Sequence, residues 1–143
     1  MKIKIAFILF VLLIPLSAIG QTTEWNLEFP TSKSERPAFY SLSLIINGTN
    51  ITGFYVVTDS SQYSLTGGSK HELTGKIENN QVYLEIPRVV NYLGIRLEGA
   101  MTNNNLIKGT KVLYISDTKR WTKKDSLVNG ELGPSQLFIA TKK

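Results

Sequence analysis

A tripeptide of apolar, polar and glycine residues recurs through this chain as Ile51-Thr52-Gly53, Leu73-Thr74-Gly75, Leu97-Glu98-Gly99 and Ile107-Lys108-Gly109. Each copy lies within a few residues of an Asn-rich turn, at Asn47-Gly48, Asn79-Asn80 or Asn103-Asn104-Asn105. The repeating unit is therefore a hairpin with a glycine set into a strand. Glycine weakens a strand and marks a bulge, a sharp bend or a close backbone approach, which are the devices that coil a sheet into a barrel.

Alternation supplies the strands. Tyr40, Leu42, Leu44 and Ile46 share one face, Val82, Leu84 and Ile86 oppose Gln81, Tyr83 and Glu85, and Ile95, Leu97, Gly99 and Met101 oppose Arg96 and Glu98. Adding Trp25 to Phe29, Ile51 to Thr58, Leu73 to Glu78, Ile107 to Ile115 and Gln136 to Thr141 brings the expected strands to eight. Joined mainly by short turns, they predict an all-β chain, a single antiparallel up-and-down β-barrel of about eight strands that leaves no free edge. A two-sheet sandwich is the alternative. Two stretches interrupt the rhythm, Asp59 to Lys70 around a short candidate strand Gln62 to Leu65, and Asp117 to Pro134. The second holds Trp121, Ser126-Leu127-Val128 as a further short strand, and Asn129-Gly130 as a hairpin turn.

Residues 1–20 have the form of a signal peptide, with Lys2 and Lys4, an apolar run from Ile5 to Leu16, and Ala18-Ile19-Gly20 as the cleavage site. The apolar run is shorter than the roughly 20 residues of a membrane span. The expected mature domain is 21–143, beginning at Gln21, a single domain that is secreted or periplasmic and not stably inserted in a membrane. The chain has no cysteine. That excludes disulfides, thiol catalysis and Cys-based metal sites, and export without disulfides fits a bacterial envelope or exported protein.

Cleavage leaves 14 basic against 11 acidic side chains, a net of +3 in place of +5. The excess is scattered over Lys70, Lys76, Lys108 and Lys111, with one dense run from Lys119 to Lys124 and a Lys142-Lys143 tail. Basic residues around Trp121 could grip a phosphate backbone, but an exported chain rarely meets nucleic acid, so none is expected as a partner. An anionic glycan or lipid head group suits that run better.

Catalytic patterns are weak. His71 is the single histidine, so paired imidazoles cannot hold a metal; it reads as an exposed residue at a strand start that takes no part in binding. No serine has a nucleophile-elbow context, and Gly67-Gly68-Ser69-Lys70 is too short for a phosphate loop. Glu78, Glu85 and Glu98 alternate toward the outer face, where ion pairs with Lys76 or Arg96 explain them. No enzyme activity, metal or cofactor is expected.

An eight-stranded barrel has an interior either just filled or just able to hold one small ligand. The inward set joins Gly53, Gly75, Gly99 and Gly109 to Trp25, Tyr40, Tyr55 and Met101, with ring packing and a cavity as rival outcomes. Trp25 and Trp121 are large enough to plug one end or line the mouth. The candidate ligand-binding residues are Trp121, Trp25, Tyr40, Tyr55 and Arg120.

The early Trp25, the paired strands from Leu73 to Ile86, and the partner segments Leu97-Glu98-Gly99 and Ile107-Lys108-Gly109-Thr110 resemble the calycin group, the lipocalins and avidins, and small exported bacterial domains of uncharacterised role. The likeness spans about residues 24 to 115 and 136 to 142. Thr23-Glu24-Trp25 departs from the Gly-x-Trp opening of lipocalins, and the Trp-rich strands with which avidins enclose biotin are lacking, which disfavours biotin. The resemblance implies a non-enzymatic barrel holding a small apolar or anionic amphiphilic ligand in or at its mouth. The alternative is an envelope or extracellular interaction or inhibitor module acting through its loops and outer tyrosines such as Tyr83 and Tyr114.

Overall fold

The computed structural model describes residues 20–30, 40–57, 69–90, 93–116 and 131–143. Eight strands follow one another: β1 (Thr22–Glu28), β2 (Tyr40–Asn47), β3 (Asn50–Val57), β4 (Ser69–Glu78), β5 (Gln81–Val90), β6 (Leu93–Asn103), β7 (Leu106–Ile115) and β8 (Glu131–Lys142). Each pairs antiparallel with its chain neighbour, and β8 returns to β1 through Trp25↔Lys142 to Glu28↔Ile139, so the sheet is a closed up-and-down barrel. The barrel expectation holds and the sandwich is set aside. The expected strands in 62–65 and 126–128, the turn at Asn129-Gly130 and the signal peptide lie outside the described residues.

The two ends of the barrel differ. At the turn end, β2–β3, β4–β5 and β6–β7 are each joined by two residues, Gly48-Thr49, Asn79-Asn80 and Asn104-Asn105. Asn79 and Asn80 take φ of 50° and 62°, the double left-handed turn whose twist matches its flanking strands. The Asn103 side-chain oxygen accepts from the Asn105 N–H at 2.8 Å. Three cross-links seal this end, Ile77 N–H to the Thr49 carbonyl (2.9 Å), Met101 N–H to that of Asn80 (2.7 Å) and Lys142 N–H to that of Asn105 (2.9 Å). All the longer connections sit at the opposite, loop end.

The inward faces carry the core: Trp25, Leu27, Leu42, Leu44, Ile51, Leu73, Leu84, Ile86, Leu97, Ile107, Phe138 and Ala140 are buried. Each such aliphatic side chain contributes about 1.5–3 kcal/mol relative to exposure. The glycines of the repeat face inward as expected. A Cβ on Gly75 would meet the Tyr83 carbonyl and Leu84, and one on Gly99 the Lys108 carbonyl at 2.5 Å, so these strands approach more closely than any side chain allows. Gly99 and Gly109 lie opposite each other on β6 and β7, and tight coiling of the wall at that pair needs both.

The Gly133-Pro134 segment, read from sequence as loop, belongs to β8. Between the pairs Lys111↔Gln136 and Leu113↔Leu132 the β8 strand holds three residues against one on β7, and Gly133 takes φ of 78°. A proline without an N–H and a left-handed glycine suit such a bulge. It adjoins the loop end.

Candidate functional site

Side chains at the loop end differ in kind from those below. Four rings line the inner wall side by side, from Phe29 just beyond β1 to His71 on β4: Phe29 meets Tyr40 edge-on (centroids 5.4 Å), Tyr40 stacks on Tyr55 (6.0 Å), and Tyr55 leans on His71 (6.3 Å). Across the barrel, Lys111 of β7 points inward and is only 5% exposed. Its Nζ sits 3.9 Å from the Phe29 ring centroid, a cation–π contact. Gln136 faces Lys111 in register on β8 and shares the inward side with Phe138 and Ala140.

The wall is incompletely laddered here. β4 and β5 pair only from Thr74↔Glu85 to Glu78↔Gln81. Above that point the His71 imidazole bridges them, with Nδ1 3.0 Å from the Arg88 carbonyl and Nε2 2.8 Å from the Ser69 hydroxyl. A carbonyl only accepts, so Nδ1 carries the proton, and in the neutral ring Nε2 accepts from Ser69. The hydroxyl–imidazole pair has the distance of a nucleophile and its base. Its third member is a neutral carbonyl rather than a carboxylate, which gives little support to an imidazolium. With both ring nitrogens engaged, the imidazole ties β4 to β5 where their ladder has ended.

Of the residues singled out from sequence, Tyr40 and Tyr55 come together in this row. Trp25 does not join them. It is 1% exposed in the packed half, and its indole N–H donates to the Thr23 hydroxyl at 2.9 Å, on the side of the turn end. Trp121 and Arg120 lie outside the described residues. Three members of the site escaped notice: Lys111, read as part of a scattered surface charge; His71, read as an exposed strand start and here half-buried in the wall; and Gln136. Counting by twos from Ile107, from Leu73 and from Phe138 turns all three inward.

The outer wall holds a separate polar cluster. Glu85 accepts from Tyr114 (2.8 Å) and Tyr83 (3.3 Å), Arg96 lies over the Tyr114 ring at 4.9 Å, and Arg96 reaches Glu131 at 3.9 Å. Of the ion pairs with Lys76 or Arg96 expected for the outer-face glutamates, Arg96 makes its contact with Glu131, while Glu85, opposite Arg96 in register, accepts from the two tyrosines. Burial, then the hydrogen bond to Glu85 and its charge, pushes the Tyr114 hydroxyl far above the ordinary tyrosine value. Tyr83 is raised by burial and by Glu85, against the opposing pull of Arg96. A shallow apolar groove of about 350 Å³ also lies on the outer wall, over Pro30, Lys108, Thr110, Leu137 and Ile139. Among the described residues no cluster of acids and histidine could hold a metal ion.

No family model and no curated protein matches the chain. Solved structures do. The bradavidin2–biotin complex superposes with a TM-score of 0.57 at 16% identity, over 85% of this chain and 95% of that one. The rhizavidin–biotin complex gives 0.56 at 13%, over 86% and 92%, and intact apo afifavidin 0.53 at 13%, over 85% and 82%. The fold is that of a calycin-like, avidin-type barrel. At these identities the likeness extends to the backbone plan of the avidin-type barrel, and the inner wall has to be read from this chain's own residues.

Proposed function

We propose that this avidin-type barrel is a non-enzymatic, exported binding protein that takes a small, partly apolar molecule at its loop end. One observation carries the reading: the row Phe29, Tyr40, Tyr55 and His71 faces the buried Lys111 across the interior at one end, while the other end is filled by Trp25 and aliphatic side chains. Flat apolar walls with a few convergent polar groups are what small-molecule sites are made of.

The similar structures include complexes with biotin. We propose a different ligand here. Biotin presents a polar cyclic urea, and below the ring row the described inner wall is Leu, Ile, Val, Met, Phe, Ala and Trp with glycine, the Thr23 hydroxyl being engaged by Trp25 and the Leu44 carbonyl. A urea pressed into that wall would lose its hydrogen bonds with water, at about 1–3 kcal/mol for each group left unpaired.

The outer tyrosines speak against the rival interaction module, since Tyr83 and Tyr114 are spent on Glu85 and Tyr114 is buried. Isothermal titration of the mature chain with a naphthalene-based fragment set tests the reading. Fragments that bind should lose about 2 kcal/mol in Tyr55→Ala, and equal binding by wild type and Tyr55→Ala would remove the site from the loop end.

A further inference from the structure

We propose that Ser69 is a nucleophile activated by His71, through which the loop-end site captures activated aryl esters by taking their acyl group onto the Ser69 hydroxyl. The inference rests on the binding reading above and adds a chemical class of ligand and a covalent step. Ser69 and His71 stand two residues apart on β4, so their side chains share its inward face with Leu73. The hydroxyl lies 2.8 Å from Nε2, and the Nδ1 proton goes to the Arg88 carbonyl at 3.0 Å. Holding that proton on Nδ1 leaves Nε2 as a base aimed at the hydroxyl. The tie between β4 and β5 uses Nδ1 alone. What a serine at position 69 adds is an oxygen whose proton already has a receiver. Attack needs one lone pair and a hydroxyl oxygen has two, so the further contact that Ser69 makes is compatible with it.

Position supplies the ligand class. Tyr55 is opposite His71 in register and leans on its ring at 6.3 Å, while Ser69 is opposite Val57 and, one strand further, Tyr40. An aryl group lying against Tyr55 therefore has the Ser69 and His71 pair on the next strand, about 4.8 Å along the wall, which a short ester substituent reaches. In the step, Ser69 Oγ bonds to the ester carbonyl carbon, its proton passes to His71 Nε2, and the bond from that carbon to the aryl oxygen breaks. The aryloxide leaves with the bonding pair and takes the proton from Nε2, giving acyl-Ser69, a phenol and a restored imidazole. An aryloxide is a good leaving group. Water attacking acyl-Ser69 would have to expel the serine alkoxide, a much poorer one, with only the neutral Arg88 carbonyl behind the imidazole. The reaction stops at one acyl group per chain, in keeping with a binding protein rather than an enzyme.

The probe is 2-naphthyl acetate, with 2-naphthol as its unreactive counterpart. The wild-type mature chain should release one equivalent of 2-naphthol, gain one acetyl group by intact mass, and carry it on Ser69 by peptide mapping. Ser69→Ala should not gain that group. His71→Gln keeps an amide that can donate to the Arg88 carbonyl but has no basic nitrogen, and should acetylate about 100-fold more slowly. Added 2-naphthol should slow the wild-type reaction by competition. Calorimetric binding of 2-naphthol, weakened in Tyr55→Ala, without acetylation of Ser69 overturns the inference and leaves the ring-row site standing, with no dyad variant having to fold. Acetylation of lysines alone, or an equal rate at Ser69 in His71→Gln, overturns it as well. Failure of wild type to bind 2-naphthol at millimolar concentration, with Ser69 unmodified, contradicts both the inference and the reading beneath it.

Discussion

The turn end and the loop end of this barrel are built from the same eight strands by opposite rules. At the turn end, two-residue connections and cross-linking backbone hydrogen bonds close over an apolar filling of Trp25 and aliphatic side chains. At the loop end the β4–β5 ladder stops, β8 bulges, and the interior turns aromatic and charged. The first half meets every requirement of stability. The second departs from them at Lys111, at the His71 bridge and at the bulge, and such departures concentrate where a protein does its work.

That contrast can be broken most forcefully by truncating one aliphatic residue in each half. Leu44, fully buried near the Gly48-Thr49 turn, should cost about 2–5 kcal/mol on replacement by alanine. Leu113, 36% exposed on the inward side of β7, should cost about 1 kcal/mol or less. Urea denaturation of both variants measures the difference, and similar losses would mean that the two ends are packed alike.

A somewhat smaller effect is expected at the strand glycines. Gly75→Val and Gly99→Val should each destabilise by about 1–3 kcal/mol, because the new side chain meets a neighbouring carbonyl before valine's better strand propensity can tell. Unchanged or higher melting temperatures in both would show that close strand approach is not what these glycines provide.

The outer-wall cluster gives a pH signature. Tyr114 has a folded value raised above the ordinary tyrosine value of 10.0, so the folded protein holds its proton where the unfolded chain has released it. Its contribution is complete below about pH 10 and declines as pH rises beyond it. Ultraviolet titration should show late tyrosine ionisation that comes only with loss of structure, and Tyr114→Phe should remove one tyrosine from that late step. Full ionisation of every tyrosine near pH 10 in the folded protein would contradict the burial of Tyr114 against Glu85.

Much of the architecture was legible in the sequence because a strand's side-chain period of two is rigid. Tyr40 to Ile46, Val82 to Ile86 and Ile95 to Met101 each announce one buried face, and Asn79-Asn80 announces the turn that joins two of them. The same count places Lys111 with Ile107 and Gly109, and His71 with Leu73 and Gly75. Residue type argued otherwise: a lysine and a lone histidine read as solvated, and that expectation overrode the parity. Depth along the barrel is harder to read, since it depends on strand tilt and stagger. Trp25 is inward by parity and shares a register row with Leu42 and Tyr55, and only its bond to Thr23 shows that its ring turns toward the turn end. The partners of Glu85 were hidden for a related reason, because Tyr114 reaches it across β6 from a strand that does not adjoin β5.

Whether binding belongs to the loop end is most directly decided by amide chemical shifts recorded while 2-naphthol is titrated into the isotopically labelled mature chain. Shifts should gather at Tyr40, Tyr55, His71, Lys111 and Gln136, with the turns at Gly48-Thr49, Asn79-Asn80 and Asn104-Asn105 unmoved. Shifts centred instead on those turns, or on Thr110, Leu137 and Ile139 around the outer groove, would show that the difference between the two ends is not a difference in binding.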